Sequence, residues 1–292
     1  MMPIPFLTVL VLFLAGLPLL RADLKVASLS TVTTDLAHQI GGTNVTVVAI
    51  IRPGTDPHEF EPTTGDVRNV ADADLVLLTG KGLEGYLSKL EEAAGGDAKF
   101  VNVGQSIPSL TLEEEGRSVE DPHWWHSVAN MKRATRVVAA AFAKADPAHA
   151  TDYEGNASSY LATLEELERW IRVQLAVIPR DKRKLVTTHD ALGYLAHDYG
   201  FTIHPVKGIS TADDPSSRHV KEVIAVIKEQ GVKAVFMESI GNPRALRQIS
   251  SETGARAGGT LYSDGLGDTE ANTYESMMRH NISTIVDGLK NP

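Results

Sequence analysis

The chain has 292 residues, of which 42% are hydrophobic and 22% are charged, a composition typical of a folded globular protein rather than a disordered or fibrous one. Its formal charge is −9 at pH 7 and its basic residues form no stripe, which argues against a general nucleic-acid-binding protein. There are no cysteines, so disulfides, thiolate metal sites and thiol nucleophiles are excluded.

The first 22 residues have the pattern of an export signal. Residues 3–20 are almost entirely apolar, and Arg21, Ala22 and Asp23 follow before a strand-like segment. This pattern predicts a signal peptide over residues 1–22, cleaved after Ala22, and export to a Gram-negative periplasm. Because no cysteine could carry a lipid at the cleavage site, we expect the mature protein to be free rather than lipid-anchored.

Residues 23–145 alternate strand-like and helix-like patterns. The strand patterns are LKVASL, VTVVAII, LVLLT and KFVNV. Continuous apolar strands separated by helices are typical of a parallel sheet covered on both faces. The polar, acidic stretch 104–122 predicts a solvated loop. We therefore expect this part of the chain to form an N-terminal α/β lobe.

The longest helical pattern in the chain covers residues 146–179. Apolar residues recur at three- and four-residue spacing, and the segment begins with Asp146 and Pro147 and ends at Pro179. About 30 residues at 1.5 Å each span roughly 45 Å, which is longer than one small lobe. We therefore predict a helix that bridges two lobes.

Residues 180–292 repeat the α/β alternation, with strand patterns KLVTT, FTIHPV, VKAVFM and TLYSD. The predicted fold class is therefore α/β, with two similar lobes that each contain a mainly parallel sheet and are linked by the long helix.

Four polar side chains lie in loops that follow strand patterns, and they are candidate metal ligands. They are His58, His123, His189 and Asp264. Parallel sheets bind ligands at the carboxyl ends of their strands, and three imidazoles with one carboxylate suit a divalent transition metal. Two candidates lie on each side of the long helix, so one ion could be enclosed between the lobes.

The residues around these candidates support the same interpretation. A proline precedes both His58 and His123 and restricts the backbone there. The neighbouring carboxylates of Asp56, Asp121 and Asp190 could accept the second ring N–H of each histidine and so fix its orientation.

Two other functions fit parts of the sequence. A zinc hydrolase could use the same three histidines with an open coordination site for water and with Asp264 or Glu238 as general base, but no H-E-x-x-H element is present. The segment Gly80–Gly85 matches G-x-G-x-x-G after a strand pattern, but the acidic residue that a dinucleotide site needs after the next strand is missing.

Six ordered segments carry a family resemblance: GTDPHEFEP, DPHWWH, VTTHDALGY, DPSSRHV, FMESIGNP and TLYSDGLG. From about residue 24 to residue 289 the chain resembles the periplasmic solute-binding proteins of zinc and manganese ABC importers. The resemblance implies two lobes bridged by one long helix, with His58 and His123 as ligands from the first lobe and His189 and Asp264 from the second. It also implies high-affinity binding of one Zn²⁺ or Mn²⁺ without catalysis, delivery to a permease in the inner membrane, and a monomer.

The chain departs from this family pattern in places that bear on the metal. His126 and Ser127 stand where the family usually has Asp-Pro, and the long His-rich loop of many zinc-specific members is missing. His189 occupies a position that is commonly Glu in manganese- and iron-type members, and nitrogen donors favour zinc over manganese. His126 could be an additional donor, whereas Glu238 is expected to support the site from behind the ligands.

Overall fold

The computed structural model describes residues 23–95, 99–114, 116–211 and 215–290. The predicted signal peptide, residues 1–22, lies outside the described residues. The first lobe contains a sheet of four parallel strands in the order β2-β1-β3-β4. Its strands are β1 (Leu24–Ser28), β2 (Val45–Ala49), β3 (Leu75–Leu78) and β4 (Lys99–Asn102).

Three of the four helices of this lobe begin at residues whose side chains cap them. Ser30 accepts a hydrogen bond from the backbone N–H of Thr33, and Ser127 accepts one from Asn130. The helices are α1 (Thr31–Gly41), α2 (Thr64–Ala71), α3 (Leu87–Ala94) and α4 (Val128–Ala145).

The stretch 104–122 is not simply the loop that its composition predicts. It contains an antiparallel hairpin of β5 (Thr111–Glu114) and β6 (Arg117–Glu120). Gly116 lies at the turn with a φ of 75°, a conformation that favours glycine. The loop prediction was wrong here because the polar side chains of a solvated hairpin give no hydrophobic alternation.

A single long helix, α5 (Ala150–Leu175), has 26 residues and follows a 3₁₀ turn over Pro147–His149. Its buried face repeats at helical spacing, from Tyr153 through Leu164 to Leu175. It contacts α1 and α4 of the first lobe and the last helix of the second lobe. At its end, a second 3₁₀ turn over Arg180–Lys182 leads into the second sheet.

The second lobe has the same architecture, with four parallel strands in the order β10-β9-β7-β8. The strands are β7 (Lys184–Thr187), β8 (Thr202–Pro205), β9 (Ala234–Glu238) and β10 (Arg256–Leu261). The helices are α6 (Gly193–Tyr199), α7 (Ser217–Gln230), α8 (Arg244–Thr253) and α9 (Tyr274–Lys290). This arrangement confirms the predicted α/β fold with two parallel-sheet lobes.

The two lobes share one hydrophobic core. A continuous cluster of buried side chains includes Leu77 of β3, Leu164 of α5, and Phe236 of β9. The outer face of the second sheet packs separately against α7 and α8. Within the described part of the chain, no helix is long and apolar enough to cross a membrane.

Candidate metal centre

The four predicted ligand side chains converge on one point between the lobes. One ligand atom from each of His58, His123, His189 and Asp264 lies within 4.8 Å of the other three. Asp264 Oδ1 is 3.0 Å from His189 Nε2, 3.4 Å from His123 Nε2 and 3.5 Å from His58 Nε2. The Nε2 atoms of His58 and His123 are 3.2 Å apart.

These separations fit a tetrahedral metal site. Metal–ligand bonds of about 2.1 Å at tetrahedral angles place neighbouring ligand atoms about 3.4 Å apart. Four of the six distances between donor atoms are 3.0 to 3.5 Å, close to that value, and all six are within 4.8 Å. The donor set of three imidazole nitrogens and one carboxylate oxygen is chemically suited to a divalent transition metal.

The centre is buried on all sides but one. The side chains of His123, His189 and Asp264 have no exposed surface, whereas that of His58 is 8% exposed. His58 lies in the loop between β2 and α2, where its backbone N–H donates to Asp56 Oδ1 at 2.9 Å. The other carboxylate oxygen of Asp56 accepts a hydrogen bond from the Thr211 hydroxyl of the second lobe. The exposed edge of the centre is therefore at His58.

His123 is oriented by the carboxylate of Asp121. Asp121 Oδ1 lies 2.9 Å from the backbone nitrogen of His123 and 2.8 Å from its ring Nδ1. A proton on Nδ1 leaves the lone pair of Nε2 directed at the other donors. Gly193, at the start of α6, lies against this carboxylate, since a Cβ there would be 2.6 Å from Asp121 Oδ2.

His189 is held by Glu238, the last residue of β9. Glu238 Oε2 accepts a hydrogen bond from His189 Nδ1, and Oε1 accepts the backbone N–H groups of Thr188 at 3.0 Å and His189 at 3.2 Å. Glu238 is thus a positioning group behind the ligand and is not one of the four converging donors. Among the described residues, Asp190 makes no hydrogen bond to a ligand histidine, so the sequence-based expectation is wrong for that carboxylate.

The histidines and carboxylates of the centre shift one another's pKa values. Burial by itself would lower the pKa of His189, but the carboxylates of Asp264 and Glu238 outweigh it and raise the pKa well above its ordinary value. Burial would raise the pKa of Asp264, but His189 and hydrogen bonds from the three histidines hold it well below its usual range. The two carboxylates therefore favour the protonated form of His189.

His126 is close to the centre without belonging to the converging group. Its side chain is buried, its Nε2 lies 2.8 Å from the carbonyl oxygen of Ser263, and burial lowers its pKa to about 4. Trp125 Nε1 donates to the same carbonyl at 2.9 Å. The sequence did not predict these two contacts, because no local pattern pairs residues that are so distant in the chain.

The G-x-G-x-x-G segment is not arranged to bind phosphate. The buried carboxylate of Glu84 accepts the backbone N–H groups of Thr79 at 2.6 Å and Gly80 at 3.1 Å. Gly80 and Gly82 both have a φ of 83°, which glycine adopts without strain. Since an internal carboxylate already occupies these N–H groups, the glycines form a structural turn.

Comparison with known proteins decides which family this fold and site represent. A family model described as zinc-uptake complex component A, periplasmic, matches residues 26–288. The chain belongs to this family. The family and its relatives are substrate-binding proteins of ABC importers and not enzymes, so the chain is an extracytoplasmic metal-binding component of metal uptake and the hydrolase alternative is set aside.

Named relatives cover almost the whole chain. The manganese-binding lipoprotein MntA of Bacillus subtilis (strain 168) is 36% identical over 276 residues, which cover 92% of this chain and 90% of MntA. The iron-binding protein YfeA of Yersinia pestis is 34% identical over 267 residues, covering 90% and 86%. The structure of the periplasmic zinc-binding protein TroA from Treponema pallidum superposes with a TM-score of 0.86 at 30% identity, covering 92% of this chain and 99% of TroA.

Proposed function

We propose that the protein binds one divalent transition-metal ion between its lobes and delivers it to the permease of an ABC importer. The ligands are His58, His123, His189 and Asp264. The observation that carries this proposal is the convergence of their donor atoms, which all lie within 4.8 Å of one another. Four protein donors complete a tetrahedral shell and leave no position for a reactive water, as suits a carrier.

Zinc is proposed as the preferred ion over manganese. Three of the four donors are imidazole nitrogens, which suit zinc, whereas manganese is better matched by oxygen ligands and higher coordination numbers. The relatives carry names that refer to manganese, iron and zinc, so the donor chemistry of this chain is the basis of the choice. Competition between Zn²⁺ and Mn²⁺ for the metal-free protein tests it, with tighter zinc binding expected and tighter manganese binding contradicting it.

The proposed mature protein is a free periplasmic monomer that begins after a signal peptide cleaved behind Ala22. Its proposed units are a first lobe over residues 23–145, a bridging helix within 146–179 and a second lobe over 180–292. MntA is named a lipoprotein, but this chain has no cysteine to acylate. Mass spectrometry of the exported protein tests this point, because a mass beginning at Asp23 with no lipid is expected and a lipidated mass would contradict it.

Metal release is proposed to require separation of the two ligand loops of the first lobe from those of the second. The contact of Asp56 with Thr211 lies beside His58 and joins the lobes at the exposed edge of the site. Acid also weakens binding, because protons compete with the metal for the three imidazoles.

Uptake by living cells tests the transport role. A strain that lacks the gene is complemented with the wild type, with His189→Ala or with His280→Ala, whose imidazole bonds the Thr260 carbonyl outside the site. Accumulation of radioactive zinc at limiting concentration should be restored by the wild type and His280→Ala but not by His189→Ala. Equal accumulation of zinc and manganese with and without the gene would contradict the proposed function.

A further inference from the structure

The backbone immediately before Asp264 is held from the opposite lobe. The carbonyl oxygen of Ser263 accepts two ring N–H groups, from Trp125 Nε1 at 2.9 Å and from His126 Nε2 at 2.8 Å. Trp125, His126 and Ser263 have no exposed surface. A carbonyl oxygen has two lone pairs, so these two donors saturate it.

The two donors come from the segment that also carries a ligand. Trp125 and His126 lie in a 3₁₀ turn over Trp124–His126, directly after His123. The neighbouring Trp124 does not take part, since its Nε1 donates to the Thr79 carbonyl within the first lobe at 3.1 Å. The residues of this one turn therefore serve two purposes. Trp124 bonds within the first lobe, whereas Trp125 and His126 link the ligand loops of the two lobes.

The backbone after Asp264 is also held by the first lobe. The N–H of Leu266 donates to the hydroxyl of Thr31 at 2.8 Å, and Gly265 approaches so closely that a Cβ there would lie 2.4 Å from the same oxygen. Asp264 is thus bracketed by first-lobe contacts on both sides, although its loop belongs to the second lobe.

We propose that Trp125 and His126 are positioning residues for Asp264, which place its carboxylate for the metal only while the lobes are together. This inference rests on the proposed function. Separation of the lobes breaks both bonds to Ser263 at once and frees the loop that carries the ligand.

Cobalt titration of the mature, metal-stripped protein tests the proposal, with visible absorption reporting the ligand field. His126→Phe should bind Co²⁺ at least tenfold more weakly than the wild type and with a changed spectrum, as for other groups that orient metal ligands. His126→Gln keeps an N–H donor at the corresponding position and should restore affinity to within about threefold. Trp125→Phe should weaken binding in the same direction.

A double-mutant cycle separates positioning from general destabilisation. If His126 acts through Asp264, His126→Phe should cause no further loss of Co²⁺ affinity in an Asp264→Ala background. His280→Phe is the matched control, because it removes an imidazole bond to the carbonyl of Thr260 on β10, within the second lobe, at 2.9 Å. This control should bind Co²⁺ like the wild type.

Wild-type affinity and spectrum in His126→Phe would overturn the positioning role while leaving the proposed function intact. Additive losses in the Asp264→Ala background would overturn it as well. If His126→Phe fails to fold, as judged by circular dichroism, Trp125→Phe decides the same question with an aromatic ring retained. Absence of Co²⁺ and Zn²⁺ binding by the folded wild type would instead overturn the proposed function, and the inference with it.

Discussion

Glu238 is the side chain on which the geometry of His189 depends most. Its carboxylate bonds the ring Nδ1 and two backbone N–H groups of the ligand loop. We expect Glu238→Gln to weaken zinc binding about 10- to 100-fold, because the amide accepts the ring proton less strongly and leaves the imidazole less basic.

Competition with a chromophoric chelator measures the zinc affinity of Glu238→Gln. Glu252→Gln, at an exposed position in α8, is the matched control and should bind zinc like the wild type. Equal affinity of Glu238→Gln and the control would show that His189 needs no such support.

Metal binding should release protons, and the protonation of His189 determines whether metal affinity rises or falls with pH. Its pKa is raised well above the ordinary value of 6.5 by Asp264 and Glu238 against the effect of burial, so we expect the metal-free imidazole to carry both protons at pH 7. The metal must displace the proton on Nε2, so affinity rises with pH until the solution pH passes that raised pKa.

Calorimetric titration of zinc in buffers of different ionisation enthalpy counts the protons released. At least one proton per metal is expected for the wild type at pH 7, and His189→Ala should release fewer. A binding enthalpy that is independent of the buffer would contradict the protonation state assigned to His189.

The four ligand candidates could be predicted from the sequence because each follows a strand pattern in a loop, and α/β sheets bind ligands at that edge. Asp121 was one of three neighbouring carboxylates that the sequence offered for orienting a ligand histidine, and it bonds Nδ1 of His123. The bonds of Trp125 and His126 to Ser263 could not be predicted, since they depend on how two separately folded loops meet.

At the scale of elements, the start of α6 is a tight contact between the lobes. A Cβ on Gly193 would lie 2.6 Å from Asp121 Oδ2, so either the helix moves or Asp121 rotates away from His123. We expect Gly193→Ala to lower the free energy of unfolding by about 1–3 kcal/mol and to weaken zinc binding.

Chemical denaturation and zinc titration of the same variant test both effects. Gly155→Ala in α5 is the control, because no atom lies within 4 Å of its added Cβ and alanine in a helix should stabilise by about 0.5–1 kcal/mol. If Gly193→Ala behaved like the control, the close packing of α6 against Asp121 would be refuted.

The elements themselves were predictable to different degrees. Seven of the eight strands of the two parallel sheets, and the long helix, coincide with predicted apolar patterns. The eighth strand, β10 (Arg256–Leu261), lies mostly before the predicted TLYSD segment, because Gly258 and Gly259 give it no apolar pattern. The helix pattern over 146–179 is longer than α5 (Ala150–Leu175) because it includes the 3₁₀ turn over Pro147–His149 before the helix and the buried Ile178 after it. The β5–β6 hairpin was missed because its register depends on backbone pairing rather than on a buried face.

At the scale of the whole molecule, the two lobes share one hydrophobic core. A continuous hydrophobic cluster includes residues of both sheets and of α5, and polar bonds add to it, such as Asp35 with the N–H of Tyr274 at 2.9 Å and Ser127 with Asp198 at 2.5 Å. We expect a single unfolding transition for the metal-free protein, since neither lobe can lose its structure without exposing this shared core.

Differential scanning calorimetry checks this expectation. One transition should be observed without metal, and zinc at 100 times its dissociation constant should add about 2.7 kcal/mol to the free energy of unfolding. Two separate transitions, or one lobe melting before the other, would show that the lobes are independent.

The most direct test of the account is native mass spectrometry of the metal-stripped mature protein titrated with zinc. One ion per chain is expected for the wild type, and alanine substitutions at His58, His123, His189 or Asp264 should each weaken its retention, while His280→Ala should not. A stoichiometry other than one, or full retention of the ion by His189→Ala and Asp264→Ala, would contradict the claim that these four side chains enclose a single metal between the lobes.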